Sequence, residues 1–263
     1  MSFIRRHSWW IYILFFGCAQ LTAGILSVLL LKLHPELSYG QIMAPTLFAA
    51  NLLGAILFFC HRPSSITWQT TLSGLRGQNG RRSVLVFLLA LPVILLVNLG
   101  QEIFFPELPD WVGEENMKSI MFNPFGLLTV AVLGPLTEEL LFRGGVQTDL
   151  DLHHSNQGWF VPIAFSAFVF SLIHMNPAQM PAAFILGLLL GFAYWWTDSL
   201  VASVAIHVFN NSFACLIGIL SPNDDSLIHF LGGPTSAGIT AIVCLFWLYL
   251  AFRAVQKEGL RKG

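Results

Sequence analysis

The stretch FGLLTVAVLGPLTEELLFRGGVQTD, residues 125–149, is apolar for long enough to cross a bilayer, yet it carries Glu138, Glu139 and Arg143 in its second half. About 20 apolar residues suffice for a membrane-spanning helix. Each ionised side chain at the centre of such a helix costs roughly 2.5 to 3.5 kcal/mol, so three of them cost on the order of 7 to 10 kcal/mol unless they find partners. On a helix, residues four apart share a face, so Glu139 and Arg143 are expected to form an ion pair. Glu138 points about 100° away from that pair. This divides the two carboxylates: Glu139 with Arg143 is structural, and Glu138 is free to act as a general base. A second reading makes all three one buried network that holds helices together.

The rest of the chain has the same character. Of 263 residues, 55% are hydrophobic and 10% charged, and the mean hydropathy is +0.69. Soluble domains carry about 25% charged residues, so the fold class expected is an all-α, polytopic transmembrane helix bundle. Apolar runs at about 9–31, 42–60, 84–105, 125–149, 159–175, 181–196, 200–220 and 237–254 suggest about eight spans. Several tryptophans, Trp9, Trp10, Trp159, Trp195 and Trp196, stand at the ends of these runs, where interfacial anchors belong. An acidic segment containing Glu107, Asp110, Glu114 and Glu115 separates the third and fourth runs and suggests an interfacial helix outside the cytoplasm. The net charge of −1 says nothing about nucleic acid, and no nucleic-acid partner is expected. Cys18, Cys60, Cys215 and Cys244 lie in apolar runs without C-x-x-C spacing and are expected to pack as free thiols.

Lys and Arg orient the spans. A cytoplasmic N-terminus places Arg5, Arg6, Arg62, Arg76, Arg81, Arg82, Arg253, Lys257, Arg261 and Lys262 on the inner side and leaves Lys32 and Lys118 outside. Both termini are therefore expected in the cytoplasm. The domain organisation expected is 1–124 as N-terminal helices, 125–220 as a catalytic core, and 221–263 as a loop, a last span and a basic tail. Arg5 and Arg6 before an apolar run resemble a signal peptide, but the run continues to Leu31, too long for one.

Polar groups recur in the later runs. Phe170 and His174 are four apart at the end of the fifth, and His207 and Asn211 are four apart in the seventh. Taken singly, such residues serve as interhelical hydrogen bonds, worth about 0.6 kcal/mol each. Together they supply the needs of peptide hydrolysis: a carboxylate and an imidazole to deprotonate water, and an imidazole and a carboxamide to donate to an oxyanion.

The order E-E-x-x-x-R at Glu138, Glu139 and Arg143, F-x-x-x-H at Phe170 and His174, and H-x-x-x-N at His207 and Asn211 resembles the CPBP family of intramembrane proteases. That family includes the CAAX prenyl endopeptidases and the bacterial relatives also called the Abi family. The resemblance covers about residues 125–220. It implies that Glu138 activates water with help from His174, that His207 and Asn211 form the oxyanion hole, and that Glu139 and Arg143 support them. It further implies a membrane-associated peptide or protein as substrate, a multi-pass position in a prokaryotic cell membrane, and no cofactor. Zinc held by Glu138, His174 and His207 is the second reading, disfavoured because the H-E-x-x-H signature is absent. Two other classes compete with the peptidase: a proton- or ion-coupled transporter, which also places carboxylates and imidazoles in spans, and a non-catalytic scaffold or immunity protein. No internal repeat of broken helices supports the transporter.

One depth does not fit easily. Glu138 falls roughly 20 Å from the presumed outer end of the fourth span, whereas His174 falls near the outer end of the fifth. The hairpin between the fifth and sixth runs, through Met175, Asn176, Pro177 and Met180, is therefore expected to be recessed.

Overall fold

A computed structural model describes residues 9–153, 158–221 and 226–259. Among them the regular structure is entirely helical. The long helices are α1 (Trp9–Leu33), α2 (Tyr39–His61), α3 (Gly77–Phe104), α4 (Pro124–His153), α5 (Phe160–Leu172), α6 (Met180–Thr197), α7 (Leu200–Leu220) and α8 (Pro234–Glu258). All but α5 are long and apolar enough to cross a membrane, which makes this a multi-pass membrane protein. Every span expected from the sequence has its helix. Arg5, Arg6, Arg261 and Lys262, four of the charges behind the orientation, lie outside the described residues.

The fifth run yields less helix than its apolar length suggests. With 13 residues α5 is about 20 Å long, against a hydrocarbon core of about 30 Å. The stop is local: Met175 adopts φ 48°, and Asn176 precedes Pro177, which disfavours helical backbone at the residue before it.

The chain forms two compact units. In the first, α1 packs on α2, and both pack on parts of α4. Small residues allow the close approach, with Ala19, Ala23 and Ala50 at the α1–α2 contact and a hydrogen bond of 2.7 Å between the Ser27 and Thr46 hydroxyls. The start of α2 is a capping box, in which the Ser38 hydroxyl accepts from the Gln41 amide and the Gln41 side chain accepts from the Ser38 amide. Gly145 of α4 lies against the Tyr12 ring, whose hydroxyl donates to the His61 carbonyl at 3.0 Å. The acidic segment does contain a helix, Glu114–Met121, seated on α2. Gly40 makes that seating feasible, because a Cβ there would lie 1.9 Å from the Ser119 carbonyl oxygen.

In the second unit α3 packs on both α6 and α8. Its core gathers Val86, Ala90 and Ile94 with Leu190, Ala193, Trp196 and Val255. Trp196 is fully buried; its indole N–H donates to the Gly259 carbonyl at 3.0 Å, and Arg82 lies over its ring. Elsewhere the helices turn apolar side chains outward, Ile25 of α1 and Ile242 of α8 among them, as a hydrocarbon solvent requires. Of the four cysteines, all free, Cys18 and Cys60 face outward and Cys215 and Cys244 are buried.

Candidate active site

The middle of α4 is not a uniform α-helix. Two π-helical segments, Thr129–Leu133 and Leu140–Gln147, flank a short α-helical stretch, Gly134–Glu139, at whose end Glu138 and Glu139 stand. Such π segments often occur at functional sites. The α-helical stretch is anchored to α2 where the Thr137 hydroxyl donates to the Asn51 carbonyl at 3.1 Å.

Glu139 and Arg143 form the expected ion pair. Arg143 Nη1 donates to Glu139 Oε1 at 2.9 Å, and neither side chain has any exposed surface. Burial on this scale needs a partner for each charge, because removing one member of a buried pair costs about 3–5 kcal/mol.

The same carboxylate has a second role that the sequence did not disclose. Glu139 Oε1 also lies 2.9 Å from His207 Nδ1 of α7. An ionised carboxylate can only accept, so Nδ1 carries a proton and donates it. That fixes the imidazole's orientation and turns Nε2 toward Glu138, whose Oε2 lies 3.6 Å away. This separation exceeds hydrogen-bond length. His207 thus sits between the two glutamates. The glutamates differ in access as well, since Glu138 keeps 18% of its side-chain surface exposed and Glu139 none.

Asn211 lies one helical turn beyond His207 on α7. Its Nδ2 donates to the Val130 carbonyl at 3.0 Å, and its Oδ1 accepts from Asn210 Nδ2 at 3.1 Å. Val130 belongs to the first π segment of α4, so α4 supplies both the glutamates and the group that orients the carboxamide.

His174 belongs to the second unit, whereas Glu138, Glu139, Arg143, His207 and Asn211 belong to the first. Its Nδ1 lies 2.8 Å from the Phe170 carbonyl, and the Phe170 ring meets it edge-on at 4.9 Å. A carbonyl only accepts, so Nδ1 carries the proton and, in the neutral ring, Nε2 carries the lone pair. The turn that holds His174 is bolted on both sides. Asn176, almost fully buried, donates to Asp110 Oδ1 at 2.8 Å and accepts from the Trp111 amide at 3.3 Å. Gln101 of α3 donates to the Ala178 carbonyl and accepts from the Ala182 amide. Among the described residues no group of three or more His, Cys, Asp or Glu side chains is placed to hold a metal ion.

Two glutamates, an arginine, a histidine and an asparagine thus lie together inside the helices of a multi-pass membrane protein, and comparisons with known proteins bear on the same segment. Residues 120–213 match the family described as Type II CAAX prenyl endopeptidase Rce1-like. Over 102 residues the chain is 28% identical to the membrane-embedded CAAX protease MroQ of Staphylococcus aureus (strain USA300), a match covering 38% of this chain and 41% of that protein. The chain therefore spans less than half the length of that relative. No solved structure matches it.

Proposed function

We propose that the protein is an intramembrane endopeptidase that hydrolyses a peptide bond in a membrane-associated peptide or protein, using a water activated by Glu138. The observation that carries this reading is the His207 imidazole held by Glu139 with its Nε2 facing Glu138. Glu138 takes a proton from water, the hydroxide adds to the scissile carbonyl, and Glu138 returns the proton to the departing amine. His174, through its Nε2 lone pair, orients the attacking water.

The oxyanion is met by His207 Nε2–H and by the second N–H of the Asn211 carboxamide, the first being given to Val130. This role requires His207 to carry both ring protons, because its Nδ1–H is given to Glu139. The cation then lies between two carboxylates, with Arg143 balancing the inner one. Glu139 is thus a positioning residue for His207 as well as the partner of Arg143.

We further propose a metal-independent reaction and a multi-pass position in a prokaryotic cell membrane with both termini in the cytoplasm. The likeness to proteins described as CAAX prenyl endopeptidase and CAAX protease makes a prenylated CAAX peptide the first substrate to test.

The experiment uses the full-length protein in detergent with a quenched-fluorescent farnesylated CAAX peptide and, in parallel, a random peptide library. Glu138→Gln lowers kcat by about 10² to 10⁴-fold, the usual range for losing a general base, while the melting temperature is retained. Cleavage that survives this substitution refutes the mechanism. Inhibition by a chelator that zinc reverses refutes the metal-independent chemistry. Proton flux into liposomes without cleavage of either substrate would favour a transporter.

A further inference from the structure

The first π segment of α4 ends with the Gly134 amide donating to the Thr129 carbonyl, five residues back. In that register the next donor, at position 135, would serve the Val130 carbonyl. Position 135 is a buried proline, which has no N–H. The Val130 carbonyl instead accepts from Asn211 Nδ2 at 3.0 Å. Proline inside a helix is ordinarily a destabilising choice, and here it frees one particular acceptor.

We infer that Pro135 is a positioning residue: by leaving the Val130 carbonyl without its helical donor, it fixes the carboxamide of Asn211. With one N–H given to Val130 and Oδ1 accepting from Asn210, the plane of the carboxamide is set, and so is the direction of its second N–H. The expected effect on rate rests on the peptidase reading above; the geometry does not.

The test compares full-length wild type, Pro135→Ala and Pro135→Ser in detergent. Both substitutions restore an amide that can occupy the Val130 carbonyl, and two are used in case one fails to fold. Pro92→Ala, at the helix-interior proline of α3, serves as the control. The first readout is the Asn211 side-chain amide signal of [15N]asparagine-labelled protein, assigned by its loss in Asn211→Asp. The second is hydrolysis of the farnesylated CAAX peptide.

In the Pro135 variants the Asn211 signal moves and kcat falls on the order of tenfold to a hundredfold, the scale of a misplaced rather than a deleted group. KM stays within about twofold, the pattern of an interaction made in the transition state, and the melting temperature is unchanged or higher. A merely structural proline would lower the melting temperature and leave kcat in place. An Asn211 signal and kcat both unchanged in the variants overturn the proposal. A shifted Asn211 signal in a protein whose wild type cleaves neither probe supports the positioning and counts against the peptidase reading.

Discussion

His207 has two ring nitrogens with different neighbours, and the site turns on that difference. Nδ1 is bound to a fully buried glutamate that also neutralises Arg143, and Nε2 faces the glutamate that retains access to solvent. One carboxylate therefore does two jobs, and substitutions should separate them. Arg143→Met takes the guanidinium away from the buried Glu139 carboxylate; unfolding free energy in detergent is expected to fall by about 3–5 kcal/mol. Glu139→Gln keeps the shape but gives Arg143 and His207 a neutral acceptor. Its stability loss is expected in the same range, together with a fall in kcat larger than that of Arg143→Met, because only this variant weakens the acceptor that holds His207 Nδ1. Pairing the two substitutions should recover part of the lost stability. A change within about 0.5 kcal/mol for either single variant, the range of an inconsequential surface substitution, would remove the pair from the account of stability. The Glu139–Arg143 contact was legible in the sequence because both residues lie on one helix at i and i+4. The contact with His207 was not, because nothing in either segment specifies which helix its neighbour will be.

At the scale of elements, the turn after α5 is held by side chains from segments distant in sequence. In Asn176→Asp a carboxylate faces Asp110 where an amide donated before. This single change should lower kcat on the order of tenfold to a hundredfold if the turn positions His174. Asp110→Asn alone should be mild, since an amide oxygen still accepts from Asn176. Adding Asp110→Asn to Asn176→Asp restores a donor opposite an acceptor and should recover most of the activity. The cycle is measured on the full chain with the farnesylated peptide. Equal activity in all four proteins would show that the turn needs no latch.

Close packing of α1 on α4 gives a second check at this scale. A Cβ at position 145 would lie 2.5 Å from the Tyr12 ring. Gly145→Ala is therefore expected to cost about 1–3 kcal/mol by overpacking, read by chemical unfolding, with Gly17→Ala on the open face of α1 near neutral.

Helix positions were legible from hydropathy alone, whereas the early end of α5 and the π segments of α4 were not. Hydropathy reports length in the bilayer, while these features depend on backbone geometry at a few residues. Pro177 carried a signal for the first and Pro135 for the second, but a proline marks a break without saying what takes up the freed carbonyl.

At the scale of the molecule, the chain does not divide into consecutive domains. It passes from the first unit to the second and back, and α7 runs through the boundary, contributing residues up to Ile206 to the second unit and His207 to Ile219 to the first. The residues proposed for catalysis follow this division, with His174 in one unit and the others in the other. Orientation in the membrane is a prediction at the same scale. By the bias of Lys and Arg toward the inner side, the described basic residues Arg62, Arg76, Arg81, Arg82, Arg253 and Lys257 are expected to put the α2–α3 loop and the C-terminal end of α8 in the cytoplasm. Alkaline phosphatase fused after Glu258 should accordingly be inactive and a green fluorescent protein fused there fluorescent in a bacterial host; the opposite result reverses the topology.

The sequence by itself determined that the protein is helical and multi-pass, where its helices lie, and that Glu139 and Arg143 neutralise each other. These follow from composition and from contacts within one helix, which solvent and helical periodicity impose locally. Only the tertiary structure decided that His207 meets Glu139 across 68 residues of chain and that Asn211 meets Val130 across 81. Those partners are chosen by how helices pack, and a hydrogen bond between two helices leaves no mark in the periodicity of either.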